Sequence, residues 1–96
     1  MSENPQASVV VLIPEPLRAC TEGLAEVSVE GGSVAEALAR LAGEYPEIGP
    51  ELITEQGGLR HGVVIAVDGL DIRFTGGLGT RVAAGQVIQI VAPMLV

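Results

Sequence analysis

The stretch "QVIQIVAPMLV", residues 86–96, decides how the rest of the chain is read. Its centre, Val87–Val91, is aliphatic except for Gln89, the pattern of a strand with both faces largely covered. At the edge of a sheet such a strand would be an aggregation hazard, so a central position is expected. Beyond it the sequence runs on through Pro93, Met94 and Leu95 to Val96, all apolar. A central strand that continues into an apolar tail either completes a sheet or presents its end to something else.

Working outward, "SVVVLIP" (8–14) is a β-branched run closed by prolines and reads as a buried strand. "LAEVSVE" (24–30) reads as a second strand, hairpinned to the first across "EPLRACTEG". Ser33 then opens the clearest helix, "SVAEALARLAGEYP", with Glu36 three residues after the serine in capping-box spacing. Val34, Ala37, Leu38, Leu41 and Ala42 share one face of it, and Gly43 and Pro46 end it. "EIGPELITEQGGL" holds one short helical turn. "HGVVIAVDG" (61–69) is a strand running into an Asp-Gly turn, "DIRF" a brief strand, and "TGGLGT" a glycine-rich turn before the last strand.

A hairpin, a crossover helix and three further strands predict an α+β fold: a mixed sheet of about five strands with one main helix across it. The crossover lets the last strand return beside the first as its parallel neighbour. This is the β-grasp arrangement, and it sends the C-terminus out from the middle of the sheet. The expected domain spans residues 8–96, after a flexible polar leader at residues 1–7.

Composition narrows the function. Tyr45 and Phe74 are the only aromatic residues and there is no lysine. Twelve acids against five arginines give a net charge of -7. Such a chain lacks both the stacking residues and the cations that nucleic acids require, and suits a basic surface on a protein partner. One cysteine, Cys20, and one histidine, His61, cannot assemble a multi-ligand zinc site. "GGLGTR" precedes a strand and is followed by no lysine, so it reads as a turn and not as a phosphate cradle. The carboxylates are spread along the chain as a solvated face. No bound cofactor or metal is expected, and the chain reads as a carrier or binding module, not an enzyme. "MSENPQA" has no signal-peptide character and no apolar run is long enough to span a bilayer, so the cytosol is the expected compartment.

From Val9 to Val91 the chain resembles the ubiquitin-like sulfur carriers of the MoaD and ThiS type, especially the CysO-type carriers of cysteine biosynthesis. The resemblance rests on "VLIPEPLR", on "GGSVAEALARLAGEYPEI" and above all on "LRHGVVIAVDGLDIRFTGGLGTRVAAGQVIQIV". It implies a protein whose C-terminal carboxylate is adenylated by a ubiquitin-activating-type enzyme, converted to a thiocarboxylate, and used to deliver sulfur at a second enzyme, a synthase. The family ends in Gly-Gly, which threads a narrow channel because glycine has no side chain. Aligned without gaps from Gly85, Val96 falls at the family's penultimate glycine. Two hypotheses follow. Either Val96 is the carrier terminus, activated directly or through a processed or extended tail, or the domain is a binding module or regulatory subunit without carrier chemistry. Both place Pro93, Met94, Leu95 and Val96 against a partner. Phe74 is read as the core's aromatic plug or as part of the docking face. Arg18 and Arg73 are candidates to pair with a partner's acids.

Overall fold

The computed structural model describes residues 8–92. Five strands, β1 (Ser8–Leu12), β2 (Glu26–Glu30), β3 (Val64–Val67), β4 (Leu70–Asp71) and β5 (Val87–Val91), form one sheet in the order β2-β1-β5-β3-β4. The strand expected in the middle is in the middle. β5 pairs parallel with β1, Val10 opposite Val87, and antiparallel with β3, Ala66 opposite Gln89. The main helix, α1 (Val34–Glu44), crosses one face, and a single-turn helix, α2 (Gly49–Leu52), follows it.

α1 forms where its capping signal lies. The Ser33 hydroxyl accepts from the Glu36 N–H at 3.2 Å, and Glu36 Oε1 reaches back to accept from the Gly32 N–H at 2.7 Å. One amide that the first turn leaves without a helical partner, and one just before the cap, are thereby satisfied. Val34, Ala37, Leu38 and Leu41 are buried against the sheet, whereas Ala42 is only half-buried. The sheet answers with Val9 and Val11, Val27 and Val29, Ile65 and Val67, and Ile88 and Ile90. Each side chain of this size removed from water contributes roughly 1.5–3 kcal/mol. The core is aliphatic throughout, with Ile13, Ile48, Leu52 and Ile72 filling its ends.

The hairpin between β3 and β4 turns on Asp68 (φ 49°) and Gly69 (φ 88°), the two positive-φ positions of a type I′ loop. Asp68 also fixes the register of β5. Its Oδ1 accepts from the Val87 N–H at 2.9 Å and its Oδ2 from Gln86 Nε2 at 3.1 Å, while Gln86 Oε1 accepts from the Ala83 N–H at 2.8 Å.

Three local expectations are corrected. "EPLRACTEG" is not a plain turn: Glu15–Thr21 is a 3₁₀ helix whose Leu17 and Thr21 are buried. Pro14 and Pro16 set its backbone, and Glu22 and Gly23, both at positive φ, end it. β2 accordingly begins at Glu26, leaving Leu24 exposed. "DIRF" is strand only at Asp71. The Asp71 carboxylate accepts from the Arg73 N–H at 2.8 Å and caps a 3₁₀ turn, Ile72–Phe74. The strand starting at His61 instead begins at Val64, with His61 exposed in the preceding turn.

Candidate functional site: the open sheet face and the root of the tail

A two-layer fold leaves one face of its sheet uncovered, and strand parity says which residues lie there. Ile88 and Ile90 point into the core, so Val87, Gln89 and Val91 point away from it. Their cross-strand neighbours are Val10 and Leu12 of β1 and Val64 and Ala66 of β3, all partly accessible. Val91 is 46% exposed at the end of the central strand. The result is a patch of small aliphatic side chains around one amide, Gln89, flanked by Glu26 beside Leu12 and Asp71 beside Ala66. An apolar surface with a polar rim has the composition of a protein-docking patch.

The last described residue of the central strand's exit, Ala92, lies between two clefts. One, about 370 Å³, is lined by Arg18 and Glu26 among others, and the other, about 190 Å³, by Arg60, His61 and Glu51. Arg18 is steadied there by its Nε, which donates to the Ile13 carbonyl at 3.0 Å. The fold therefore brings Arg18 to the root of the tail, from a position in the sequence far from it.

Phe74 is 78% exposed and is not a core residue. It ends the 3₁₀ turn after β4, and Leu70 of β4, 52% exposed, pairs with the buried Val67 and so lies on the helix side of the sheet. β4 lies two strand spacings, about 10 Å, from β5. Arg73 is held within the molecule: Nε and Nη2 both donate to Asp71 Oδ2, at 3.0 and 2.8 Å. These side-chain bonds, with the Arg73 N–H, hold the Asp71 carboxyl below the usual carboxylate range and raise the guanidinium further. Arg73 thus reaches solvent in a fixed orientation and not as a free cation. Pro93, Met94, Leu95 and Val96 lie outside the described residues.

Chemistry elsewhere is sparse. Burial, then Glu51 and Glu47, pushes the Cys20 thiol above its ordinary range, the reverse of what activates a nucleophile. Among the described residues no group of three His, Cys, Asp or Glu side chains is placed to hold a metal ion. Among the described residues no helix is long and apolar enough to cross a membrane.

Sequence reasoning named Phe74, Arg73 and Arg18 but missed the open face. The signal was Gln89, whose lone polarity in "VIQIV" marks its side as outward, and Val87 and Val91 with it.

The model of the family described as the ThiS family matches residues 11–95. The sulfur carrier protein CysO of Mycobacterium tuberculosis is 35% identical over 85 residues, covering 86% of this chain and 91% of its own. Among solved structures, the crystal structure of Mycobacterium tuberculosis CysO superposes with a TM-score of 0.83 at 34% identity, covering 90% of this chain and 99% of that one. CysO in the Amycolatopsis orientalis BexX/CysO complex gives 0.85 at 30% identity, covering 92% and 98%. The small archaeal modifier protein 1 of Methanosarcina acetivorans gives 0.82 at 26% identity, covering 95% and 97%. The sheet order, the crossover helix and these matches agree, and the chain belongs to the ThiS family of ubiquitin-like, β-grasp sulfur carriers.

Proposed function

We propose that this chain is a working sulfur carrier: a protein without catalysis of its own that partner enzymes load and unload at its C-terminal carboxylate. The observation that carries this reading is the position of β5. It is the third of five strands, and Ala92 follows it between two clefts at the middle of the sheet. A chain leaving from there is backed by a rigid sheet and can be inserted into a partner's site while the body stays outside.

The chemistry belongs to the partners. An adenylating enzyme joins a carboxylate oxygen of the carrier to the α-phosphorus of ATP, and pyrophosphate leaves. Sulfide then attacks the acyl carbon, AMP leaves as the C–S bond forms, and loss of the thiol proton gives a thiocarboxylate. A sulfur-accepting enzyme takes the sulfur next; a related carrier, CysO, forms a complex with a second protein, BexX. This chain supplies recognition. Val91 and Leu12 around Gln89 form the flat contact, Phe74 a further exposed side chain beyond β4, and Arg18 a cation beside Ala92. Arg73, oriented by Asp71, offers its remaining donors to a partner acid, and Pro93, Met94, Leu95 and Val96 occupy the partner's channel. Met94 suits such a channel because its unbranched side chain adapts to irregular walls.

The test is intact-mass spectrometry after incubation with a ThiS-type adenylating enzyme, ATP and a sulfide donor. One oxygen should be replaced by sulfur, and fragmentation should localise it to the terminal carboxylate. Phe74→Ala, at a largely exposed position, should keep the fold and slow loading by raising the carrier concentration required. Absence of exchange, while a Gly-Gly-ended control carrier is loaded by the same enzyme, would refute carrier activity and leave a binding module.

A further inference from the structure

The layer opposite the open sheet face carries a groove of about 530 Å³. One wall is α1, through Ala35, Ala39 and Ala42, and the other is α2 and the residues after it, through Pro50 and Ile53. Leu78 also lines it. The buried Leu38 and Leu52 make its floor, so the groove opens onto the core with little polar material in between.

We propose that this groove is a second docking surface, which takes an amphipathic helix from a partner protein with a basic residue beside its apolar stripe. The alanines occupy helical positions i, i+4 and i+7; Ala35 and Ala39 are exposed and Ala42 is half-buried. Ala35 to Ala42 spans about 10 Å along the axis, two turns of an occupant. Side chains this short let a second backbone approach at the low end of the 8–10 Å interaxial range.

Charge decides the occupant. Glu55 is the one charged residue lining the groove, and no cation lines it. The chain as a whole carries -7. A second copy docked symmetrically would set Glu55 against Glu55, in a protein that already repels itself. An anionic membrane meets the same repulsion. A small ligand would need several convergent polar groups to fix it, and only Thr54 and Glu55 bring polar side chains. A helix with an apolar stripe and one lysine or arginine satisfies both the walls and Glu55. The groove lies on the helix layer and the carrier surface on the sheet's other face. An occupant can therefore stay bound while the tail is loaded.

The test uses the full chain, labelled with ¹⁵N, and two helix-stabilised peptides. One is built of Leu, Ala and Lys with a single apolar stripe; the other has Glu for every Lys. The Lys peptide should shift the amides of Ala35, Ala39, Thr54 and Glu55 and leave Leu12, Gln89 and Val91 in place. Ala39→Glu, at an exposed helix position, should weaken it by about tenfold. Glu55→Arg should reverse the preference, so that the Glu peptide binds better. Shifts on the sheet face, equal binding of both peptides, or no reversal by Glu55→Arg would overturn the proposal. So would stronger binding of phosphatidylserine vesicles than of the peptide, or dimerisation through the groove. Thiocarboxylate loading of Ala39→Glu should match the unaltered chain. That readout separates failure of this inference from failure of the carrier reading.

Discussion

Ile88 and Gln89 are adjacent on the central strand and face opposite ways, so substituting each isolates one job of β5. Ile88 is fully buried, level with Val11 of β1 and Val67 of β3. Ile88→Val removes one methylene and should cost about 0.5–1.5 kcal/mol. At roughly 4–8 °C per kcal/mol for a domain near this size, the midpoint should fall by several degrees. Ile88→Asp loses the isoleucine contacts, worth about 2–5 kcal/mol on truncation to alanine, and adds several kcal/mol for an unpaired buried carboxylate. A 96-residue domain has about 5–14 kcal/mol in total. Ile88→Asp should therefore leave little or no folded protein. Gln89→Arg puts a charge on the open face and should change stability by no more than about 1 kcal/mol, while impairing contact with an adenylating enzyme. Urea unfolding followed by circular dichroism measures the first effect, and the loading rate the second. A soluble Ile88→Asp variant with a cooperative transition near that of the unaltered chain would show that the core is misplaced. Collapse of Gln89→Arg to the same degree would show that the outer face is not open.

Two further outcomes test the frame around the site. An ideal Cβ on Gly31 would sit 2.9 Å from the backbone N of Ala37 and 3.2 Å from its Cα. Gly31→Ala should therefore push α1 off the sheet at about 1–3 kcal/mol, visible as a lowered unfolding midpoint, and an unchanged midpoint would refute that close approach. The Asp71 carboxyl, held down chiefly by Arg73, should titrate below the ordinary value of roughly 3.9 in a ¹³C NMR titration. Arg73→Ala should bring it back up. Because the folded-state value is the depressed one, the pair supports the turn above the unfolded-state value and loses that support as pH falls through the folded-state value. An Asp71 midpoint unmoved by Arg73→Ala would show that the pair does not orient the guanidinium.

What was legible in the sequence follows physical range. α1 was readable because its signals are local: Ser33, Glu36 and the helical spacing of four buried apolar residues act within a few turns. The sheet order was readable because "VIQIV" tolerates no edge. The turn after β4 was misread because Ile72 alone is buried in "DIRF", while the deciding bond is from Arg73 N–H to the Asp71 side chain. That bond competes with strand pairing and leaves no mark on the hydrophobic pattern. The segment before β2 was misread for a related reason, since two prolines exclude a strand without saying that a 3₁₀ helix will bury Leu17 and Thr21. The α1–α2 groove was invisible, because Ala39, Ile53 and Leu78 meet only once the helix layer has packed.

The same arithmetic of faces gives so small a domain two separate exposed surfaces. A 96-residue chain has one core, and its sheet and helix spend their buried sides on each other. Parity then dictates that Val87, Gln89 and Val91 face outward on one side of the molecule, and helical spacing that Ala35 and Ala39 do so on the other. Neither surface was added to the fold; each is the unburied half of an element the core requires. The difference lies in relief. The sheet face is broad and adjoins the root of the tail, which suits an enzyme that must grip the body and receive the end. The helix face is a narrow apolar groove with one acid, which suits a segment. A contact that needs the tail can therefore be lost by changing Val91 or Gln89 with the groove intact, and the groove can be blocked at Ala39 with the tail still presented.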